Sequence, residues 1–178
     1  MENRKIRVGI THGDINGVGY EVILKTFSDP TMLELCTPVV YGSPKVAAYH
    51  RKTMEIQTSF SIVNSAEEVQ DGRVNVVNCI EEELKVELTK PTPEAGKAAL
   101  AALERALADY REGLFDVLVT APINKHTIQS DAFHFPGHTE YIEERVGEGQ
   151  KALMILLKGD FRVALVTCLL YTSDAADD

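Results

Sequence analysis

The stretch Val8–Lys25, VGITHGDINGVGYEVILK, passes from an apolar alternation through three glycines into a helical pattern. Ile6, Val8 and Ile10 alternate with Arg7, Gly9 and Thr11, which is the period of a strand. YEVILKTFSDP then reads as a short helix that stops near Pro30. A strand delivered to a helix through a glycine turn opens a βαβ unit, and the alternation continues downstream. TPVVYGSP is a second strand closed by Gly42 and Pro44, SPKVAAYHRKTM a second helix, and RVNVVNCI a strand of the continuous apolar kind. The expectation is an α/β fold with a largely parallel sheet.

From Thr92 the pattern changes to TPEAGKAALAALERALADYREG, where Leu100, Leu103, Leu107 and Tyr110 recur at helical spacing. Thr92, Pro93 and Glu94 make a good helix start and Gly113 a good stop. FDVLVTAPINKHTI follows as a buried strand with a loop at its carboxyl end, then the loop FHFPGHTEYIEERVG and two strands, KALMILLK and FRVALVT. NSAEEVQDG reads as a solvated surface segment, and no internal repeat or low-complexity linker interrupts the chain.

Bulk composition narrows the function classes. With 178 residues, 44% of them hydrophobic and 25% charged, the chain is long enough for one sizeable core or two small lobes. A formal net charge of -9 disfavours nonspecific binding to nucleic acid or anionic membranes, both of which need clustered Lys and Arg. A small-molecule partner is expected. Cys36, Cys79 and Cys168 are widely spaced and odd in number, which points to neither a disulfide framework nor a zinc site, and Cys36 and Cys79 are expected as reduced core or boundary residues. The opening MENRKIRVGIT has no apolar leader, and no apolar run approaches the roughly 20 residues of a membrane span, so the cytoplasm is the expected location.

The glycines at 13, 17 and 19 fit neither G-x-G-x-x-G nor the P-loop. Asp14 would also bring a carboxylate beside any phosphate held on the helix N-terminus. Either the loop serves close strand-to-helix packing, or Asp14 points away. Thr139 reads equally as a helix N-cap or as a functional hydroxyl. His138, after a Pro-Gly turn, would be displayed at a loop tip with both ring nitrogens available. His12, His50, His126 and His134 are expected at surface or boundary positions. Lys125 follows a strand at its carboxyl edge, where open α/β sheets place ligands, although a plain surface lysine fits as well.

The ordered set THGDINGVGYE, PEAGKAAL, VLVTAPINK, FPGHTEYIEE and RVALVT resembles the 4-hydroxythreonine-4-phosphate dehydrogenase family of vitamin B6 biosynthesis. The likeness runs from about Arg7 to Thr167, roughly the first half of such an enzyme. It implies an isocitrate/isopropylmalate dehydrogenase-like three-layer fold, a homodimer, NAD as cofactor and a divalent metal cation (zinc, magnesium or cobalt). The implied reaction oxidises 4-phosphohydroxy-L-threonine to a β-keto acid that decarboxylates to 3-amino-2-oxopropyl phosphate. His138 and Thr139 match the family's substrate-contacting His-Thr pair, and Asp14, Asn16 and Lys125 are placed near the same cleft.

The first metal-ligating histidine of the family falls on Leu169, which offers no lone pair to a metal, so no metal ligand is expected in this chain. Residues 1–167 are therefore expected to be the substrate-binding lobe of such an enzyme, and 168–178, CLLYTSDAADD, a tail foreign to the family, such as a translated adapter. By itself such a fragment is expected to be inactive. Two alternatives share these motifs: a 4-phospho-D-threonate or 4-phospho-D-erythronate dehydrogenase, and a non-catalytic module that binds a phosphorylated ligand.

Overall fold

The structure is a computed structural model that describes residues 5–165. It falls into two compact units, Met1–Pro136 and Gly137–Asp178. Among the described residues no helix is long and apolar enough to cross a membrane.

The first unit is built on five parallel strands: β1 (Ile6–Thr11), β2 (Cys36–Gly42), β3 (Phe60–Val63), β4 (Val74–Asn78) and β5 (Val117–Thr120), in spatial order β3-β4-β2-β1-β5. The helices between them are α1 (Gly19–Thr26), α2 (Pro30–Leu35), α3 (Pro44–Thr53) and α4 (Pro93–Arg111). Because side chains alternate along a strand, Val40 and Val76 face one way and Val39, Tyr41 and Val77 the other. The first set packs with Tyr20 and Ile23 of α1, Phe27 just after it, Val46 and Ala47 of α3, and Ala95 and Ala98 at the start of α4. The second packs with Ala102 and Ala106 of α4 and with Phe115. Helices thus cover both faces of the central strands, which is why β2 and β4 are buried along almost their whole length.

Helix α4 begins as the sequence indicates: the Thr92 hydroxyl accepts from the Ala95 amide at 3.3 Å and Pro93 occupies the first turn. Its row of alanines lets the axis approach the sheet closely. Near its far end the Tyr41 hydroxyl donates to Asp109 at 2.9 Å and Arg105 donates to the other carboxylate oxygen at 3.0 Å, so the buried carboxylate is fully engaged.

Two expectations change, and one strand is new. Pro30 starts a second helix, α2, with the Asp29 side chain accepting from Thr31 N at its N-cap, because proline is favoured in a first turn. β3 had no reading in the sequence. β5 was expected to be buried, but it is an edge strand paired only with β1 among the described residues, and Val117 and Val119 are exposed.

His12 and His50, expected at the surface or boundary, are 0% exposed. The reason is Tyr20, whose ring stacks on His12 at 5.2 Å and on His50 at 5.4 Å. The Tyr20 hydroxyl donates to the Ser43 carbonyl at 3.1 Å and accepts from the Ser43 amide at 2.9 Å, joining the first turn of α1 to the start of α3. His50 Nε2 lies 2.8 Å from the Ile15 carbonyl. Neither ring nitrogen of His12 meets hydrogen-bond geometry. His126 and His134 are exposed, as expected.

The second unit holds α5 (His138–Val146) and an antiparallel hairpin of β6 (Ile155–Lys158) and β7 (Phe161–Ala164), as the two strand patterns indicate.

Burial pushes the His12 pKa down from 6.5 to about 4, against the pull of the nearby Ala98 and Gly13 backbone. Below pH 6.5 the unfolded chain takes up this proton and the folded chain does not, so stability falls as pH drops from 6.5 towards 4. About 3 kcal/mol is expected to be lost over that window through His12. Urea unfolding of the wild type and of His12→Phe at pH 7 and pH 4.5 checks this, with a shallower acid limb expected for the variant.

Candidate functional site

In the first unit the chain steps from β1 to β2, jumps to the far edge at β3, comes back to place β4 between them, and then crosses to set β5 on the other side of β1. The order therefore reverses between β1 and β5, and open α/β sheets bind ligands outside the carboxyl ends at such a point. The loops that follow these two strands meet there. Ala121 N donates to the Thr11 carbonyl at 3.1 Å and Asp14 N to the Pro122 carbonyl at 2.9 Å. Gly13 makes the contact possible: its φ is +70°, and a Cβ would fall 2.3 Å from the Pro122 oxygen. The glycine loop thus serves close backbone packing, the first of the two readings its sequence allows.

Asp14 Oδ1 accepts from Asn16 N at 2.9 Å, an Asx turn that folds the carboxylate back over its own loop. Asn16 is almost fully buried. Its amide nitrogen donates to the Lys90 carbonyl (2.9 Å) and to Thr92 Oγ1 (3.1 Å), and its amide oxygen accepts from Glu87 N (2.8 Å). The side chain therefore fastens the glycine loop to the segment entering α4, and both amide donors are spent within the protein. Lys125 is exposed and makes no ion pair among the described residues. It stands in a turn shaped by Asn124, whose Oδ1 accepts from His126 N (3.0 Å) and Thr127 N (3.2 Å).

That turn rests on α4. A Cβ on Gly96 would lie 1.8 Å from the Thr127 carbonyl oxygen, so only glycine lets the helix pass beneath it. A glycine inside an otherwise strong helical pattern was the sequence signal for this contact.

In the second unit Gly137 is the N-cap of α5 and no side chain caps it. The reading of Thr139 as N-cap therefore gives way: it lies inside the first turn, and its hydroxyl makes no hydrogen bond among the described residues. Thr139 lines an open cavity of about 350 Å³ with Ile142, Glu143, Val146 and Lys151. Glu143 accepts from Lys151 Nζ at 2.7 Å and from Ala152 N at 2.8 Å, holding the following segment against the helix. The lysine bond, then the Ala152 amide, keeps this carboxyl below its usual range. His138 is half-buried at the start of the same helix. Lys151 beside Thr139 had no legible signal in the sequence.

Among the described residues no group of three His, Cys, Asp or Glu side chains could hold a metal. Cys36 and Cys79 are free thiols, and burial pushes that of Cys79 up to about 12, far from a reactive thiolate. Leu169 lies outside the described residues.

The family model described as pyridoxal phosphate biosynthetic protein PdxA matches residues 34–177. The chain belongs to this family. Among curated PdxA relatives, the 4-hydroxythreonine-4-phosphate dehydrogenase of Bacteroides thetaiotaomicron is 75% identical over 167 residues, which cover 94% of this chain and 46% of that protein. The D-threonate 4-phosphate dehydrogenase of Cupriavidus necator is 30% identical, with 94% of this chain and 51% of that protein covered. A crystal structure of 4-hydroxythreonine-4-phosphate dehydrogenase from Burkholderia phymatum superposes with a TM-score of 0.79 at 27% identity, covering 91% of this chain and 49% of that one. The α/β architecture expected from the sequence is the architecture of this Burkholderia structure. The chain spans about half the length of the relatives it matches.

Alanine normally gains about 1 kcal/mol over glycine inside a helix. For Gly96→Ala the sign is expected to invert, with a net loss of about 2 kcal/mol from the clash with the Thr127 backbone. Urea unfolding reads the sign directly, and a stabilised variant would remove the packing role of Gly96.

Proposed function

We propose that this chain forms the substrate-binding half of an NAD-dependent 4-hydroxythreonine-4-phosphate dehydrogenase. The observation that carries the reading is the 75% identity to the Bacteroides thetaiotaomicron protein of that name, against 30% for the D-threonate enzyme. The reaction is oxidation of the secondary alcohol of 4-phosphohydroxy-L-threonine: the carbon-bound hydrogen passes to NAD as hydride, the hydroxyl proton leaves, and 2-amino-3-oxo-4-phosphooxybutanoate results. This β-keto acid then loses CO2 to give 3-amino-2-oxopropyl phosphate, an intermediate on the way to pyridoxal 5'-phosphate.

In this reading Thr139 donates its uncommitted hydroxyl to a substrate oxygen, and His138, one residue earlier in the same turn, makes a second contact. Lys125 supplies a cation at the carboxyl edge of β5, suited to a phosphate or carboxylate. Asp14 and Asn16 keep the neighbouring glycine loop in shape. A divalent metal of the family kind, when bound, would acidify the substrate alcohol. The described residues gather no donor set that fits it, and none is assigned to it. The full-length protein is proposed to act in the cytoplasm as a homodimer.

The test is a chimera in which residues 1–167 continue into the remaining half of the Bacteroides relative. It is expected to reduce NAD with 4-phosphohydroxy-L-threonine in preference to 4-phospho-D-threonate. Thr139→Val in the chimera is expected to lower kcat/KM by about 10²-fold. The 178-residue chain alone is expected to give no turnover. Preference for the threonate substrate would transfer the assignment to that enzyme, and turnover by the chain alone would overturn its reading as half of a site.

A further inference from the structure

Asn16 grips more than its own loop. Besides the side-chain bonds to Glu87, Lys90 and Thr92, its backbone carbonyl accepts from Thr89 N at 2.9 Å. The turn so held is closed by Lys90 N on the Glu87 carbonyl at 3.0 Å and carries Thr89 at φ +67°. A β-branched residue in the left-handed region is strained, and it stays there only where its surroundings over-determine it. Asn16 supplies that constraint from its side chain and its backbone together. The same amide sets the start of α4. The Thr92 hydroxyl accepts from Asn16 Nδ2 at 3.1 Å and from Ala95 N at 3.3 Å, and the Thr92 carbonyl accepts from Gly96 N at 3.3 Å.

Gly96 is the residue under the Lys125 turn, where a Cβ would lie 1.8 Å from the Thr127 carbonyl oxygen. The bonds within that turn, Ile128 N and Thr127 Oγ1 to the Asn124 carbonyl at 3.2 and 3.3 Å, fix its shape and leave its place open. Its place comes from two supports: the glycine loop, through Asp14 N on the Pro122 carbonyl, and α4 beneath Thr127. Ile15, Ala95, Ala98 and Ala121 share one apolar cluster, so the glycine loop, the start of α4 and the segment after β5 pack together. A lysine carries its charge on a flexible four-carbon stem, so an anion is met at a fixed point only if the base of the stem is fixed. We propose that, with Lys125 a substrate contact as in the dehydrogenase reading above, Asn16 is its positioning residue: by setting where α4 begins, Asn16 fixes the surface on which the Lys125 turn rests. Asn16 does not itself meet substrate, since it is 3% exposed and both its amide donors are spent within the protein.

The first test is hydrogen exchange on the 178-residue chain. Asn16→Ala is expected to speed exchange of the Thr127 and Ile128 amides by at least about tenfold, while Val76 and Val77 at the centre of the sheet stay protected, which separates local release from global unfolding. The second uses the chimera described above. Asn16→Ala is expected to raise KM for 4-phosphohydroxy-L-threonine about tenfold, with kcat and KM for NAD changed by less than about twofold. Asn16→Asp keeps the acceptor for Glu87 N and loses both donors, and it is expected to show the same KM rise if the alanine variant fails to fold. In a Lys125→Ala background, Asn16→Ala is expected to add nothing to KM, because the group it positions is gone. A Lys125→Ala chimera with unchanged KM would remove Lys125 from the substrate and overturn the reading and the proposal together. A raised KM for Lys125→Ala with unchanged KM in both Asn16 variants would overturn the proposal alone. So would unchanged exchange at Thr127 and Ile128, or KM effects that add fully in the double variant, the mark of a general loosening.

Discussion

A parallel sheet cannot leave a face to water, because its crossover connections place an element on each side and its strands are apolar throughout. Much of this chain follows from that constraint. Where it is met, at β2 and β4, Val39, Val40, Tyr41, Val76 and Val77 are fully enclosed between α1 and α3 on one side and α4 on the other. α4 can serve as the second layer because alanines at 102 and 106 keep its inner side thin. Where the constraint is not met, at the edge strand β5, Val117 and Val119 stand in solvent, and the separate antiparallel β6–β7 hairpin likewise exposes leucines and a phenylalanine. The same apolar patterning thus has opposite outcomes according to what lies beside it.

How much of this could be read from the sequence depends on whether a feature is local. α4 was legible to its cap, because Thr92, Pro93 and the leucine spacing lie within one helix. β1, β2 and β4 were legible because their apolar runs end at glycines, prolines or asparagines. β3 was not: Phe60–Val63 is only four residues long, and its Ile62 points to solvent. The burial of His12 and His50 was hidden for a different reason. It depends on Tyr20 lying between them, and His12 and His50 are brought to it by separate elements of the fold.

The candidate site divides along the same line. Asp14 and Asn16 were singled out as cleft residues, and the structure gives both of them hydrogen bonds that shape the loop. His138 and Thr139 drew attention through their motif, and spacing alone left Thr139 divided between cap and function. Gly137 takes the cap, and Thr139 lines the cavity beside the helix. Gly96 carried a signal that local reasoning noticed only as part of a motif. Its physical meaning, a helix passing under the Lys125 turn, needed the backbone of Thr127 to be placed.

Asn16 has a kinetic meaning as well. Its side chain bonds to Thr92, 76 residues along the chain, and to Glu87 and Lys90 just before it. Closing a loop of that length is entropically costly, and such distant contacts are rewarded only after the intervening segments have collapsed. The glycine loop therefore cannot reach its final shape while the ribosome is still making β2, β3 and β4. Its bonds to Glu87, Lys90 and Thr92 wait for the residues before α4, and its Asp14–Pro122 contact for the loop after β5, so an early loop is fixed by contacts made late.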